Sequence, residues 1–372
     1  MAADAAPILT TRALNRALLA RQMLLERVAM PAEAAIETLI GLQSQIPGNP
    51  YTALWSRLEG FRPEEVSDLT AARKLVRIAL MRGTLHLVTV ADAVALRPIV
   101  QKVFERTMTP GSAYGRALAG VDMAELVAAG ERLLEKKPRS NKELEAELAP
   151  KFPGVNGHAL SHAVRAMLPL VQVTPRGLWR QSGLALSTTI ESWTGQATTT
   201  DDRPEAMIRR YLAVFGPASV QDLQAWSGLT KLAGAVASLR DELSEFRDEA
   251  GQVLYDLPDA PRPSEDTAVP PRFLPDYDNV MLGHAERRRI VHDDHRSHFT
   301  KENGLIPAFL VDGFAGGSWR IDRERGRATL RITPLIPPKN RDRKALEREA
   351  EALLAFQEPD AKTREIVFAD AP

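Results

Sequence analysis

The chain has 372 residues, 48 Lys+Arg against 48 Asp+Glu, and no cysteine. Its length suits two or three domains rather than one small core. Zero net charge means that any basic surface must come from arrangement, so composition neither demands nor excludes a nucleic-acid partner. The missing cysteines exclude disulfides, thiolate metal sites and a cysteine nucleophile. The N-terminus has no apolar signal core, and no apolar run nears the roughly 18–20 residues of a membrane span, so a cytoplasmic protein without membrane contact is expected.

From Thr11 to Ala29, the spacing of Leu14, Ala17, Leu18, Leu24, Leu25 and Val28 predicts an amphipathic helix. Pro31 opens a second, from Ala32 to about Gln43, which stops before Pro47 and Gly48. Pro50–Leu58 and Glu64–Ala71 read as helices, after which Leu75–Val88 alternates about Arg82-Gly83 like two strands and a tight turn. Helices followed by a β-ribbon predict a winged-helix unit over residues 1–91.

The pattern then recurs. After a connecting helix at Asp92–Arg106 come helices at Met123–Leu134, Asn141–Leu148 and Gly157–Met167, with Ser140 as a cap for the middle one. Leu170–Arg180, broken at Pro175-Arg176-Gly177, reads as a second wing and completes a unit over 92–186. Ser187–Arg203, rich in Ser and Thr, reads as a linker. Helices at Glu205–Val214, Ser219–Trp226 and Leu229–Leu239, with a hairpin at Phe246–Tyr255, form a third unit within 187–257. Beyond the proline-rich joint Leu257–Arg272, strand-like runs at Phe309–Val311, Ser318–Ile321 and Ala328–Ile332 precede a charged helix, Asp342–Phe356, and a last strand, Glu365–Phe368. The predicted architecture is α+β, mainly α with β wings: three tandem winged-helix units forming a concave surface, plus a β-rich C-terminal domain over 258–372.

Two stretches carry chemistry. His284, His292, His295 and His298 are threaded through Arg287-Arg288-Arg289, Asp293-Asp294, Arg296 and Lys301. Imidazoles and carboxylates suit a metal, although the arginines oppose a cation; a solvated charged face and a basic loop against phosphates are the competing readings. Gln43 and Gln45 are the second stretch. Residues two apart diverge on a helix, but Pro47 biases Ile46 toward an extended backbone, so the chain is expected to leave the helix near Gln45 and let both amides share a side. A polar helix end whose amides satisfy loose backbone groups is the alternative.

Four segments occur in order: Gly41-Leu42-Gln43-Ser44-Gln45, Met81-Arg82-Gly83-Thr84-Leu85-His86-Leu87-Val88, Phe273-Leu274-Pro275-Asp276-Tyr277-Asp278-Asn279-Val280-Met281-Leu282-Gly283-His284-Ala285, and Leu310-Val311-Asp312-Gly313-Phe314-Ala315-Gly316-Gly317-Ser318-Trp319-Arg320. From Leu14 to about Ile336 the chain resembles the bacterial winged-helix DNA glycosylases of the AlkZ-like and YcaQ-like kind. The resemblance implies a monomer that binds double-stranded DNA containing alkylated purines, without metal or cofactor. It also implies monofunctional hydrolysis of the N-glycosidic bond of N7-alkylguanine or related N-alkylpurines, extending to bulky adducts or interstrand crosslinks, in DNA repair or genotoxin self-resistance. The family's catalytic Gln-x-Gln motif falls on Gln43 and Gln45; Gln45 points to the AlkZ-like branch, while Ser44 stands where an aliphatic residue is usual. Arg82, Thr84 and His86 match its wing motif, and Arg287, Arg288, Arg289, His292, His295, Arg296 and His298 fall in its basic hairpin, so all are expected to contact DNA.

The implied chemistry is coherent. An N7-alkylated base is already cationic and leaves without a strong acid, so what remains is to position water and to stabilise charge. An amide can do both, but it cannot serve as a true base. The competing class is a non-enzymatic winged-helix DNA-binding protein or transcription regulator, although such regulators usually work as dimers on symmetric sites.

Overall fold

A computed structural model describes residues 6–301 and 304–370. Strand β1 (Ile8–Leu9) leads into a helix, Thr11–Arg21, whose first turn is closed by Thr10 accepting the Ala13 N–H. This helix ends well before Ala29, because Met23 turns left-handed and Val28 goes on to bridge Leu58. The second helix is also shorter than expected. It spans Ala32–Thr38, and then Ile40 (φ 56°) and Gly41 (φ 84°) swing the chain into β2 (Leu42–Gln43). Only glycine fits at 41, where a Cβ would lie 2.4 Å from Val88 Cγ1.

Helices Asn49–Trp55 and Pro63–Ala71 follow, and β3 (Leu75–Ala79) and β4 (Leu85–Thr89) form the first ribbon, turning through a left-handed Arg82. In the second unit, helices Met123–Lys136, Asn141–Leu148 and Gly157–Met167 precede β5 (Leu170–Gln172) and β6 (Ser187–Thr189). Strand β6 lies in the stretch read as a linker, so the second ribbon is not a tight hairpin about residues 175–177. The reason is polar satisfaction: Thr188 is buried and its hydroxyl donates to the Leu134 carbonyl (2.9 Å), so a Ser/Thr run that reads as loop is paired sheet. The third unit has helices Glu205–Phe215, Val220–Ser227 and Ala233–Ser238, then β7 (Ser244–Asp248) and β8 (Val253–Asp256). Reciprocal capping boxes, Ser140 with Glu143 and Ser219 with Asp222, open the middle helix of both units and mark the repeat.

The C-terminal part contains β9 (Arg272–Leu274), a helical turn Asn279–Leu282, a 3₁₀ segment Asp293–Phe299 and a small hairpin, β10 (Thr300–Lys301) with β11 (Gly304–Leu305). Residues 292–298, expected on a hairpin, therefore sit on the helical segment before it. Strands β12 (Ala308–Val311), β13 (Phe314–Glu324), β14 (Arg327–Pro334) and β15 (Thr363–Phe368) form a sheet in the order β15-β14-β13-β12-β9, covered by helix Asn340–Gln357 through Leu346, Ala350, Leu353 and Leu354. The other large sheet has the order β2-β4-β3-β5-β6, with the first two ribbons joined edge to edge where Arg77 faces Gln172 and Ile78 faces Val171. Strand β1 adds in parallel to β7. Among the described residues no helix is long and apolar enough to cross a membrane.

One apolar core runs from Leu18 through the first sheet and the third unit to Leu310 and Ala315, so the β-rich part is packed onto the helices. Buried bidentate ion pairs pin the same layers: Arg57 to Asp278 (2.8 and 2.9 Å) and Arg21 to Asp256 (2.7 and 2.8 Å). Replacing Asp278 by Ala leaves the fully buried Arg57 guanidinium uncompensated, and urea denaturation is expected to show a loss of about 3–5 kcal/mol. The Arg57→Met/Asp278→Leu double variant should lose much less than the sum of its single changes; additive losses would mean the pair is not coupled.

Candidate functional site

Strand β2 places the two glutamines. Leu42 faces Leu87 and Gln43 faces His86 across β4, and the Ser44 N–H reaches the Leu85 carbonyl at 2.7 Å. Gln43 and His86 therefore form a non-hydrogen-bonded cross-strand pair, with side chains close together on one face. Gln43 is only 7% exposed, and its Oε1 is buried without a hydrogen-bond partner among the described residues. Gln45 lies just past the strand, exposed, with its Oε1 3.4 Å from the Leu85 N–H, a long and weak contact. Both amides thus gather at the start of β4, and they do so from a strand edge rather than from the helix end expected.

Ser44, between them, is clasped by buried Arg77. The guanidinium donates to Ser44 Oγ (2.9 Å), the Ser44 carbonyl (2.7 Å) and Gln172 Oε1 (2.9 Å). An aliphatic side chain at 44 would leave one of these donors unmet, which accounts for the serine. The turn behind is held by Asn279, whose amide donates to the Gly41 carbonyl (3.1 Å), and by Asn49 donating to the Asp276 carbonyl (2.7 Å).

The expected DNA contacts divide into two groups. Arg82 is pushed down to about 10 by burial and then by nearby Arg287, and the Arg287 guanidinium is lowered by burial and by Arg296, so these three cations are gathered at the tip of the first ribbon. Arg82 also donates to the Trp226 carbonyl. Arg288 and Arg296 are partly neutralised by Glu286 and Asp293, at 3.0–3.5 Å. His292 is exposed and stacked on Phe314 (4.8 Å between rings), His295 is half-buried, and His298 Nε2 lies 3.3 Å from Ser318 Oγ. In the other group, Arg289 is a core residue that donates to the Pro217 carbonyl (2.8 Å) and faces Asp222, so it is not a DNA contact. His86 is buried and pushed down to about 3, first by burial and then by Arg82. Its Nδ1, 2.9 Å from the Thr84 carbonyl, must be the donor, leaving a neutral ring with an accepting Nε2 rather than a phosphate-binding cation. Thr84 donates to the Met81 carbonyl (3.1 Å) and shapes the turn.

A family model described as DNA glycosylase AlkZ-like matches residues 36–356. The chain belongs to the AlkZ-like DNA glycosylase family. It is therefore a DNA glycosylase, and DNA is its substrate. A relative named interstrand DNA cross-link repair glycosylase, from Streptomyces sahachiroi, is 24% identical over 357 residues, which cover 89% of this chain and 92% of the relative. The solved structure of the S. sahachiroi DNA glycosylase AlkZ superposes with a TM-score of 0.79 at 21% identity, covering 97% of this chain and 100% of that one, and so shares its fold.

Sequence reading of this AlkZ-like chain missed Arg77, Asn49 and Asn279 as supports of the Gln-x-Gln turn. A signal existed for one of them, since Arg77 interrupts the apolar run Leu75, Val76, Ile78. The asparagines carry no such mark; their partners are backbone carbonyls distant in sequence.

The site also predicts an acid sensitivity. His86 and His284 are both pushed down to about 3, each first by burial. Below the unfolded value near 6.5 the unfolded chain takes up protons that the folded one refuses, so stability is full above about pH 6.5 and falls as pH drops toward 3. Urea titrations at pH 7, 6 and 5 should show a loss of roughly 3–4 kcal/mol between pH 7 and 5. A His86→Gln variant should roughly halve that slope; an unchanged slope would remove His86 from the account.

Proposed function

We propose that this DNA glycosylase hydrolyses the N-glycosidic bond of N7-alkylguanine and related N-alkylpurines, with Gln43 and Gln45 as its catalytic amides. The observation that carries the reading is the buried, unpartnered Oε1 of Gln43. Leaving a buried acceptor unmet costs about 1–3 kcal/mol, a cost accounted for if the atom is reserved for a water or for developing charge on the sugar. Gln45, exposed and loosely held at Leu85, is free to turn toward the same point.

The chemistry needs little more. The cationic alkylated base departs as a neutral molecule, the sugar passes through an oxocarbenium-like state, and the two amide oxygens orient the attacking water and face the positive charge. Because no side chain attacks the sugar, the enzyme is monofunctional. The name of the S. sahachiroi relative extends the substrate reading to interstrand crosslinks. A crosslinked base is hard to flip out, so a shallow site beside the duplex suits it. On this reading the three ribbons form a concave cradle for one duplex, bound by a monomer, with the partly exposed 292–298 segment and Arg287 probing the groove. A regulator that only bound DNA is disfavoured by the match to a glycosylase family.

Single-turnover release of N7-methylguanine from alkylated duplex DNA, in EDTA, tests this. Gln43→Ala and Gln45→Ala should each slow release by about 10²–10³-fold, with the double variant little worse than the poorer single one, as expected for groups acting on one water. Unchanged release in the double variant would sink the assignment.

A further inference from the structure

Most arginines buried in this protein are matched to a carboxylate. Arg16 pairs with Asp312, Arg21 with Asp256, Arg57 with Asp278, Arg139 with Glu147 and Arg272 with Glu349, while Arg289 faces Asp222. Arg77 has no carboxylate against it, and Arg97 has only a nearby one, Glu105, that offsets part of its burial. Both are buried, both are pushed down to about 10 with burial as the first cause, and neither forms an ion pair among the described residues. Arg97 rests on the Phe104 ring (4.1 Å) and donates to the Ala166 carbonyl (2.9 Å). Buried charge without an ion-pair partner is costly, and carbonyl dipoles answer it only in part.

Arg97 lines a cleft of about 220 Å³ between the first ribbon and helix Gly157–Met167, and Arg77 lies just behind it, bonded to Gln172 in the cleft wall. Arg82, His162 and Arg165 also line the cleft, and no Asp or Glu does. Arg165 is exposed and forms no ion pair or hydrogen bond among the described residues. His162 is stacked on Tyr114 (3.6 Å, 9°), with its Nε2 2.9 Å from Thr107 Oγ1. Concentrated positive charge over an apolar floor of Phe104, Leu168 and Leu170 attracts and orients an anion.

The cleft touches the catalytic turn at two points. Leu85 lines it and offers its N–H to Gln45, and Gln172 lines it and shares Arg77 with Ser44. We propose that this cleft seats one backbone phosphate of the bound DNA strand, close to the lesion, and thereby sets the register of the sugar against Gln43 and Gln45. The assignment rests on the DNA-glycosylase reading above and adds a site to it. Phosphate contacts position a duplex without reading its sequence, which suits an enzyme that must recognise a chemical lesion in any sequence. Arg165 is the cation that closes on the phosphate, and Arg97 and Arg77 supply the field behind it.

Equilibrium binding of a duplex bearing a single lesion provides the test, measured over a range of salt, with neutral methylphosphonates walked one position at a time along the lesion strand. Arg165→Gln should weaken binding roughly tenfold and lower the slope of log affinity against log salt by about one. Arg348→Ala, which removes the same charge from the exposed face of the C-terminal helix, should do neither. One methylphosphonate position near the lesion should cost the wild type a similar factor and cost Arg165→Gln nothing further. Additive losses at every position, or no loss in Arg165→Gln, would overturn the site. Inorganic phosphate that stabilises the wild type but not Arg165→Gln, without any such non-additive position on DNA, would mark a free-anion site and overturn the assignment to the strand. Because binding is read without excision, inactive Gln43 or Gln45 variants that keep the non-additive position leave the cleft standing, whereas wild type that binds duplex but releases no base refutes the glycosylase chemistry alone.

Discussion

Two residues of backbone pairing decide the geometry of the Gln-x-Gln turn. Leu42 and Gln43 add to the edge of β4, and because side chains alternate along a strand, that register sets Gln43 opposite His86 on one face. A slip of one residue would exchange Gln43 for Ser44 and abolish the arrangement. So short a strand does not hold its own register, and the neighbouring structure fixes it instead. Gly41 is the only residue type that fits against Val88, Asn279 ties the turn from behind, and Arg77 grips Ser44 by both its hydroxyl and its carbonyl. The buried Arg57–Asp278 pair then fixes the segment that carries Asn279.

Charge follows the same division between support and surface. Where arginines meet carboxylates in the interior they join layers that are far apart in sequence, as Arg21 does with Asp256. Near the Gln-x-Gln turn the pattern changes: Arg77, Arg82 and Arg97 meet amides, carbonyls, the Ser44 hydroxyl and the Phe104 ring rather than a carboxylate, and Arg82 stands close to Arg287. A chain of zero net charge thus carries a local positive field through placement alone, at the point where the first ribbon, the second unit and the 285–299 segment converge.

Periodicity made the helices of the second unit and the first two of the third legible to within two residues, because their apolar faces and, at Ser140, the cap are local signals, whereas the helix expected over Leu229–Leu239 is only Ala233–Ser238. The C-terminal strands were legible for the same reason. The early ends of the first two helices were not, since left-handed turns at Met23 and Ile40 use residues that rarely adopt that conformation and are held there by tertiary contacts. Strand β6 was hidden because its polar residues are satisfied by a distant carbonyl. At the site, Gln43 and Gln45 could be named from the motif, but the roles of His86 and Arg289 could not. Both look like surface cations in sequence and are buried, His86 as a neutral acceptor and Arg289 as a core donor.

The positive field raises an apparent conflict with a substrate whose base is itself cationic. Unit charges of like sign about 6 Å apart repel by roughly 3 kcal/mol at an effective dielectric of 20, so the arginines oppose the damaged base before reaction. On the proposed reading the strand's own phosphate answers that opposition. The arginines that seat a phosphate are largely neutralised by it, so their field on the lesion falls once the strand is bound. Bond cleavage then moves the positive charge from the base to the sugar, where the two amide oxygens face it, and the base leaves neutral. Loss of an undamaged guanine shifts the same electron pair but must release an anion, so discrimination against normal DNA rests on the leaving group and needs no reading of the sequence.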